Sequence, residues 1–226
     1  DLTVYVGEKN YHERQALRDM FIAQGIKAVV CHATAEALKQ MLLESPPDML
    51  VVSDDFDPEI FDLIKEIRHQ KLGYNPFMLI TMLVGPNGRS ALKSAINAGV
   101  DDIVLKPVTS ERVRERLNLV AFHRQPFVAH DEYVGPDRGT EPNTAAKKIP
   151  VLNTLFEKAN GRDFDKDSLK AAISVSLEQV LEAQLDSTSS KLGEVCGRAI
   201  TAYDENRITI DLQTDLIMLS EILQEA

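Results

Sequence analysis

From residue 2 to about residue 123 the chain alternates short, β-rich apolar runs with segments whose apolar residues recur every three or four positions. Alternation of this kind builds βαβ units around a parallel sheet. Strands are predicted at Leu2–Val6, Lys27–His32, Met49–Ser53, Phe77–Leu83 and Asp102–Leu105. The helical period predicts Tyr11–Gln24, Ala35–Glu44, Pro58–Gln70, Ser90–Ala98 and Ser110–His123. Gly25 and Gly99 follow helical runs, where a left-handed closing residue favours glycine. Thr109 or Ser110 suits the N-cap of the fifth helix.

The pattern then changes. Residues 124–150 hold four prolines and two glycines without a sustained period and read as a linker or docking arm, which Phe127, Val128, Tyr133 and Val134 can pin to a neighbour. Residues 151–226 return to a helical period. Ile173, Leu177, Val180, Gln184, Thr188, Leu192, Val195 and Ala199 recur at spacings of three or four, while Gly193, Gly197 and Ser187–Ser190 argue for a break. One very long helix and a broken pair both remain open. A last helix over 210–225 presents Leu212, Leu216, Leu219 and Leu223 on one face, which suits a hairpin or bundle, completed within the chain or by a second subunit. The domains expected are thus 1–123 (α/β), 124–150 (arm) and 151–226 (all-α).

Charge narrows the function. Residues 1–125 carry 15 basic and 17 acidic side chains, whereas residues 151–226 carry 7 and 14. The C-terminal part is therefore at −7, and 210–225 has no Lys or Arg, so it repels a phosphate backbone. Nucleic-acid binding is disfavoured and a protein partner for the C-terminal helices is expected. No apolar run reaches the roughly 18–20 residues that span a bilayer, so neither a membrane segment nor an export signal is expected and a cytoplasmic location is. Cys31 and Cys196 form neither a CxxC pair nor a disulfide framework and are expected as buried thiols. The five histidines have no metal-ligand spacing, and none lies beyond residue 130 to serve a phosphotransfer bundle.

In parallel α/β sheets, sites form at the carboxyl ends of the strands. There the sequence offers Glu8 after the first strand, Asp54, Asp55 and Asp57 after the third, and Lys106 before Pro107 after the fifth. Carboxylates converging beside a lysine suit a hard divalent cation and a phosphoryl group. An ordinary alternative is that these aspartates end a strand and cap a helix, and that Asp101 and Asp102 are structural loop residues.

Three stretches, PPDMLVVSDD, NPFMLIT and AINAGVDDIVLKPVTSERVRERL, together resemble the CheY-like receiver family of two-component signalling, over roughly residues 1–122. The resemblance implies a five-stranded, doubly wound flavodoxin-like fold. It further implies transfer of a phosphoryl group from a sensor histidine kinase or phosphotransfer protein to an aspartate, without substrate turnover. Mg²⁺ would be held by Glu8, Asp54 and Asp55, Lys106 would contact the phosphoryl group and Thr81 would respond to it. Homodimerisation is also implied. Counting from PPD lands the acceptor on Ser53 and counting back from Lys106 lands it on Asp54; Asp54 is preferred over Asp55. Counting from Pro76 places the hydroxyl at Thr81, whereas counting back from Lys106 lands on Val84, which has none. Gly7 replaces one acid of the usual pair, and Ile103 stands where an aromatic switch residue is common. A non-phosphorylated scaffold is the alternative reading. Within the arm, YVGPDRG resembles a segment, often ending GPDRR, of some receiver-protein linkers, with Gly139 in place of the last arginine.

Overall fold

The computed structural model describes residues 2–86, 88–130, 132–139 and 147–204, with five further positions between 213 and 220. Five parallel strands, β1 (Thr3–Gly7), β2 (Ala28–His32), β3 (Met49–Ser53), β4 (Leu79–Val84) and β5 (Asp102–Leu105), form one sheet in the order β2-β1-β3-β4-β5. This is the doubly wound, flavodoxin-like order, with its switch point between β1 and β3. Strand and helix bounds lie within two residues of those the periodicity predicts.

The helices α1 (Tyr11–Ala23), α2 (Ala35–Glu44), α3 (Ile60–Arg68), α4 (Arg89–Ala98) and α5 (Ser110–Phe122) cover both faces. Leu17 and Phe21 of α1 and Val113 and Val120 of α5 pack with Val4, Val6, Met49, Val51, Leu79 and Leu83 on one side. Leu38, Leu42, Ile60, Ile64 and Ile67 pack with Leu50, Val52, Ile80 and Met82 on the other. β3 and β4 are buried at every position, as expected of central strands sandwiched between helices. Local chemistry sets the ends: the side chains of Asn10, Thr34 and Thr109 accept amide hydrogens of the first turns of α1, α2 and α5, and Gly99 closes α4 at φ 85°.

The stretch expected to be a linker is folded over part of its length. Phe127–His130 (β6) and Tyr133–Pro136 (β7) make an antiparallel hairpin, to which Ile149 returns beside Phe127. Its anchor is a buried charge cluster. Asp101 accepts from Arg68 Nη2 at 2.7 Å and from Arg124 Nε at 2.8 Å, and both guanidiniums lie over the Phe127 ring at 5.2 and 4.9 Å. Arg68 also donates to the carbonyls of Pro76, Met78 and Gly99, so four of its five donors tie the end of α3 to the residue after α4, the approach to β4 and Asp101. Burial draws Arg68 down to about 10, which leaves it charged at neutral pH. Arg138 of the YVGPDRG stretch reaches back to the carbonyl of Val100.

After α6 (Thr154–Ala159) comes one uninterrupted helix, α7 (Lys166–Asp204), of 39 residues and roughly 58 Å in length. Ile173, Val180 and Ala183 of α7 pack with Phe77, Phe127, Ala129, Val134 and Ile149. The helix continues through Ser187–Ser190 and both glycines, which settles the question of a break. Cys196 is exposed and Cys31 half-buried, so the expectation of two buried thiols fails. The expected final helix, including Leu212, Leu219 and Leu223, lies outside the described residues apart from isolated helical positions such as Leu216. No helix among the described residues is long and apolar enough to cross a membrane.

Candidate functional site

At the carboxyl edge of the sheet, β1 delivers Glu8 and the turn after β5 delivers Lys106, whose peptide bond to Pro107 is cis. Glu8 is buried to 1% exposure, and both of its carboxylate oxygens accept hydrogen bonds. Oε1 accepts from the amide of Asn10 at 2.8 Å, and Oε2 accepts from Lys106 Nζ at 2.8 Å and from the Ser53 hydroxyl. Lys106 donates a second bond, to Glu13 Oε2 of α1, at 2.7 Å. Burial alone would raise the Glu8 carboxyl, but the bonds from Lys106, Ser53 and Asn10 outweigh it and hold it below its ordinary value. Burial likewise disfavours the charged lysine, and Glu13 and Glu8 overcome that and raise it. Both groups are therefore charged at neutral pH.

The β3 residue that faces this pair is Ser53, wholly buried and paired with Leu83 of β4. Asp54, the preferred acceptor, points elsewhere. Its amide donates to the carbonyl of Leu83 at 2.9 Å, and its Oδ1 lies 3.3 Å from the amide of Gly85. A Cβ added to Gly88 would stand 2.6 Å from Asp54 Oδ2, so the carboxylate rests against the β4–α4 loop and glycine leaves room for it. Asp55 is exposed and pairs with Lys9 at 3.0 Å. Asp57 accepts from the amide of Glu59 at 2.8 Å, a local turn contact.

Thr81 does not reach the edge. It sits in the middle of β4, in register with Val51 and Asp102, and lines the buried space among Leu17, Phe21 and Val113. Its hydroxyl is buried without a hydrogen-bond partner. The residue at the end of β4 is Val84, whose carbonyl accepts from the amide of Lys106 at 2.9 Å. Of the two spacings for the hydroxyl, the one counted back from Lys106 therefore falls at the end of β4 and the one counted from Pro76 falls in its middle.

The same geometry tests the fit of Mg²⁺. Three of the roughly four lone-pair sites of the Glu8 carboxylate already accept from Lys106, Ser53 and Asn10, which leaves a cation a single position on Oε1. Asp54 and Asp55 do not converge on Glu8, and no cluster of three potential ligands occurs among the described residues. Gly7, which replaces the missing acid, packs under Phe56: an added Cβ would lie 3.1 Å from Val52 and 3.2 Å from the Phe56 ring. The residues present do not fit the metal site that the resemblance implied.

Asp101 was expected to be a structural loop residue; its place between two arginines was not foreseen. Burial would raise its carboxyl, but Arg124, Arg68 and the amide of Ile80 lower it. Only its position, one residue before β5 and after the Gly99 helix stop, hinted at a fixed role.

Several solved structures are similar to part of this chain. Chemotaxis protein CheY4 of Vibrio cholerae is 18% identical with a TM-score of 0.47 over 53% of this chain and 98% of its own. A signal receiver domain from Clostridium thermocellum is 15% identical with a TM-score of 0.47, over 53% and 97%. A response regulator from Thermotoga maritima is 20% identical with a TM-score of 0.46, over 53% and 96%. Each of the three is similar to about half of this chain and matches nearly all of its own length. No family model matches, and no curated protein matches.

Proposed function

We propose that this chain is a response-regulator-like signalling protein whose receiver-like domain operates without aspartyl phosphorylation, as a scaffold that presents the α7 helix to a protein partner. The observation that carries this reading is the hydrogen bond from Ser53 to Glu8, with Lys106 already bound to the same carboxylate. The Ser53 hydroxyl and the Lys106 ammonium both bond to the Glu8 carboxylate, and Lys106, the lysine that would neutralise a phosphoryl group, is already shared between Glu8 and Glu13. The hairpin and the Arg68–Asp101–Arg124 cluster give α7 a fixed base, and its acidic surface suits protein more than nucleic acid.

A second reading keeps the phosphoryl switch: a sensor histidine kinase or phosphotransfer protein upstream, Asp54 as acceptor, and a phosphorylation-dependent homodimer. One contact favours it, the approach of Gly85 N–H to Asp54 Oδ1, since a backbone amide there would also suit a phosphoryl oxygen. Beryllofluoride with Mg²⁺, followed by ¹⁵N–¹H NMR, separates the two. The scaffold reading expects no shifts at Asp54, Gly85 or Lys106. Saturable shifts at those residues would support the second reading and overturn the first.

A further inference from the structure

Beside Lys106 lies a hollow of about 440 Å³ whose walls include Leu17 and Met20 of α1, Leu83 of β4 and Val108, and whose polar residues are Lys106 and Glu13. That volume falls within the range of about 300–1,000 Å³ typical of small-molecule sites, which are mostly apolar with a few convergent polar groups. The charge around Lys106 is uneven. Lys106 Nζ lies 2.8 Å from Glu8 and 2.7 Å from Glu13, so two carboxylates share one ammonium and the sum is −1. Glu8 is sealed inside, whereas the Glu13 side chain is 48% exposed. Arg14, the neighbouring cation on α1, is occupied by the carbonyls of Glu8 and Lys9.

From this we infer a ligand site for a small molecule with an apolar body and a cationic head: the body fills the hollow and the head pairs with Glu13. An anionic head would face net negative charge, and the single cation in the wall is already neutralised twice over. A bound amine competes with Lys106 for Glu13, so occupancy shifts the lysine towards Glu8 and tightens the edge of β5. The regulatory consequence, a ligand doing what phosphorylation does not, rests on the scaffold reading above. The binding itself does not.

The test is an NMR titration of the full chain with benzylamine, benzyl alcohol and benzoate as probes. Benzylamine is expected to give saturable shifts at Ala16, Met20, Leu83 and Val108 with a dissociation constant of about a millimolar. Ala16→Trp, at an exposed α1 position on the rim, fills the hollow and should abolish the shifts, and Glu13→Gln should weaken benzylamine several-fold while leaving benzyl alcohol unchanged. Absence of saturable shifts, shifts that persist in Ala16→Trp, or benzoate binding as well as benzylamine would overturn the proposal. A beryllofluoride response would count against the scaffold reading alone and leaves the titration result standing.

Discussion

Ser53 donates its hydroxyl to the buried carboxylate of Glu8, which spans the carboxyl ends of β3 and β1 across the switch point of the sheet. That bond helps satisfy Glu8, the condition for holding a charge in the interior. Removing it as Ser53→Ala should cost about 1.5–3 kcal/mol, the range for a hydrogen bond to a charged group, read from urea denaturation midpoints. A loss below ~0.5 kcal/mol would show that water replaces the hydroxyl.

Lys106→Met removes the cation from Glu8 and should cost on the order of 2 kcal/mol, less than the ~3–5 typical of a fully buried pair because Lys106 keeps some solvent contact. Lys106→Met combined with Glu8→Gln should recover much of the loss, since no unpaired charge then remains. Equal destabilisation of the single and double variants would contradict the pairing.

The depressed Glu8 and Asp101 carboxyls give the pH dependence its sign. A carboxyl lower in the folded than in the unfolded chain contributes stability above its unfolded value, near 4, and that contribution is lost as pH falls through the folded value. The contribution of these two carboxyls should therefore be level at neutral pH and be lost below about pH 4. Glu8→Gln should show a shallower acid slope than the wild type in urea titrations at stepped pH, and an unchanged slope would remove Glu8 from the account.

Gly135 of β7 packs on Gly99 at the end of α4. A Cβ at Gly135 would fall 2.8 Å from Gly99 Cα and 2.7 Å from the Tyr133 hydroxyl, both closer than atoms tolerate. Gly135→Ala should raise hydrogen exchange across residues 127–136 while the exchange of β1 and β3 stays protected. Asp101→Ala, which strands two buried arginines, should do the same and lower global stability by about 3–5 kcal/mol.

The βα alternation was legible because each helix has one apolar stripe and because Asn10, Thr34, Thr109 and Gly99 mark the ends chemically. The bonding of the site was not. Met49–Ser53 is buried on both faces, and nothing in its composition announces that the Ser53 hydroxyl bonds to Glu8 while Asp54 turns to the Gly85 amide. The hairpin was hidden for a different reason. Its four-residue strands contain Gly135 and Pro136 and owe their pairing to the Asp101 cluster, which no local pattern announces. In α7, Gly193 and Gly197 suggested a break, yet the surrounding helix formers carry the helix through, each glycine costing only about 1 kcal/mol.

Whether the receiver-like domain takes a phosphoryl group is the central question. Intact-mass analysis after incubation with acetyl phosphate and Mg²⁺ answers it, run on the wild type, on Asp54→Ala and on a known receiver as positive control. The account predicts no added mass on the wild type while the control is labelled. An adduct of one phosphoryl group on the wild type that disappears in Asp54→Ala would contradict it and make Asp54 a working acceptor.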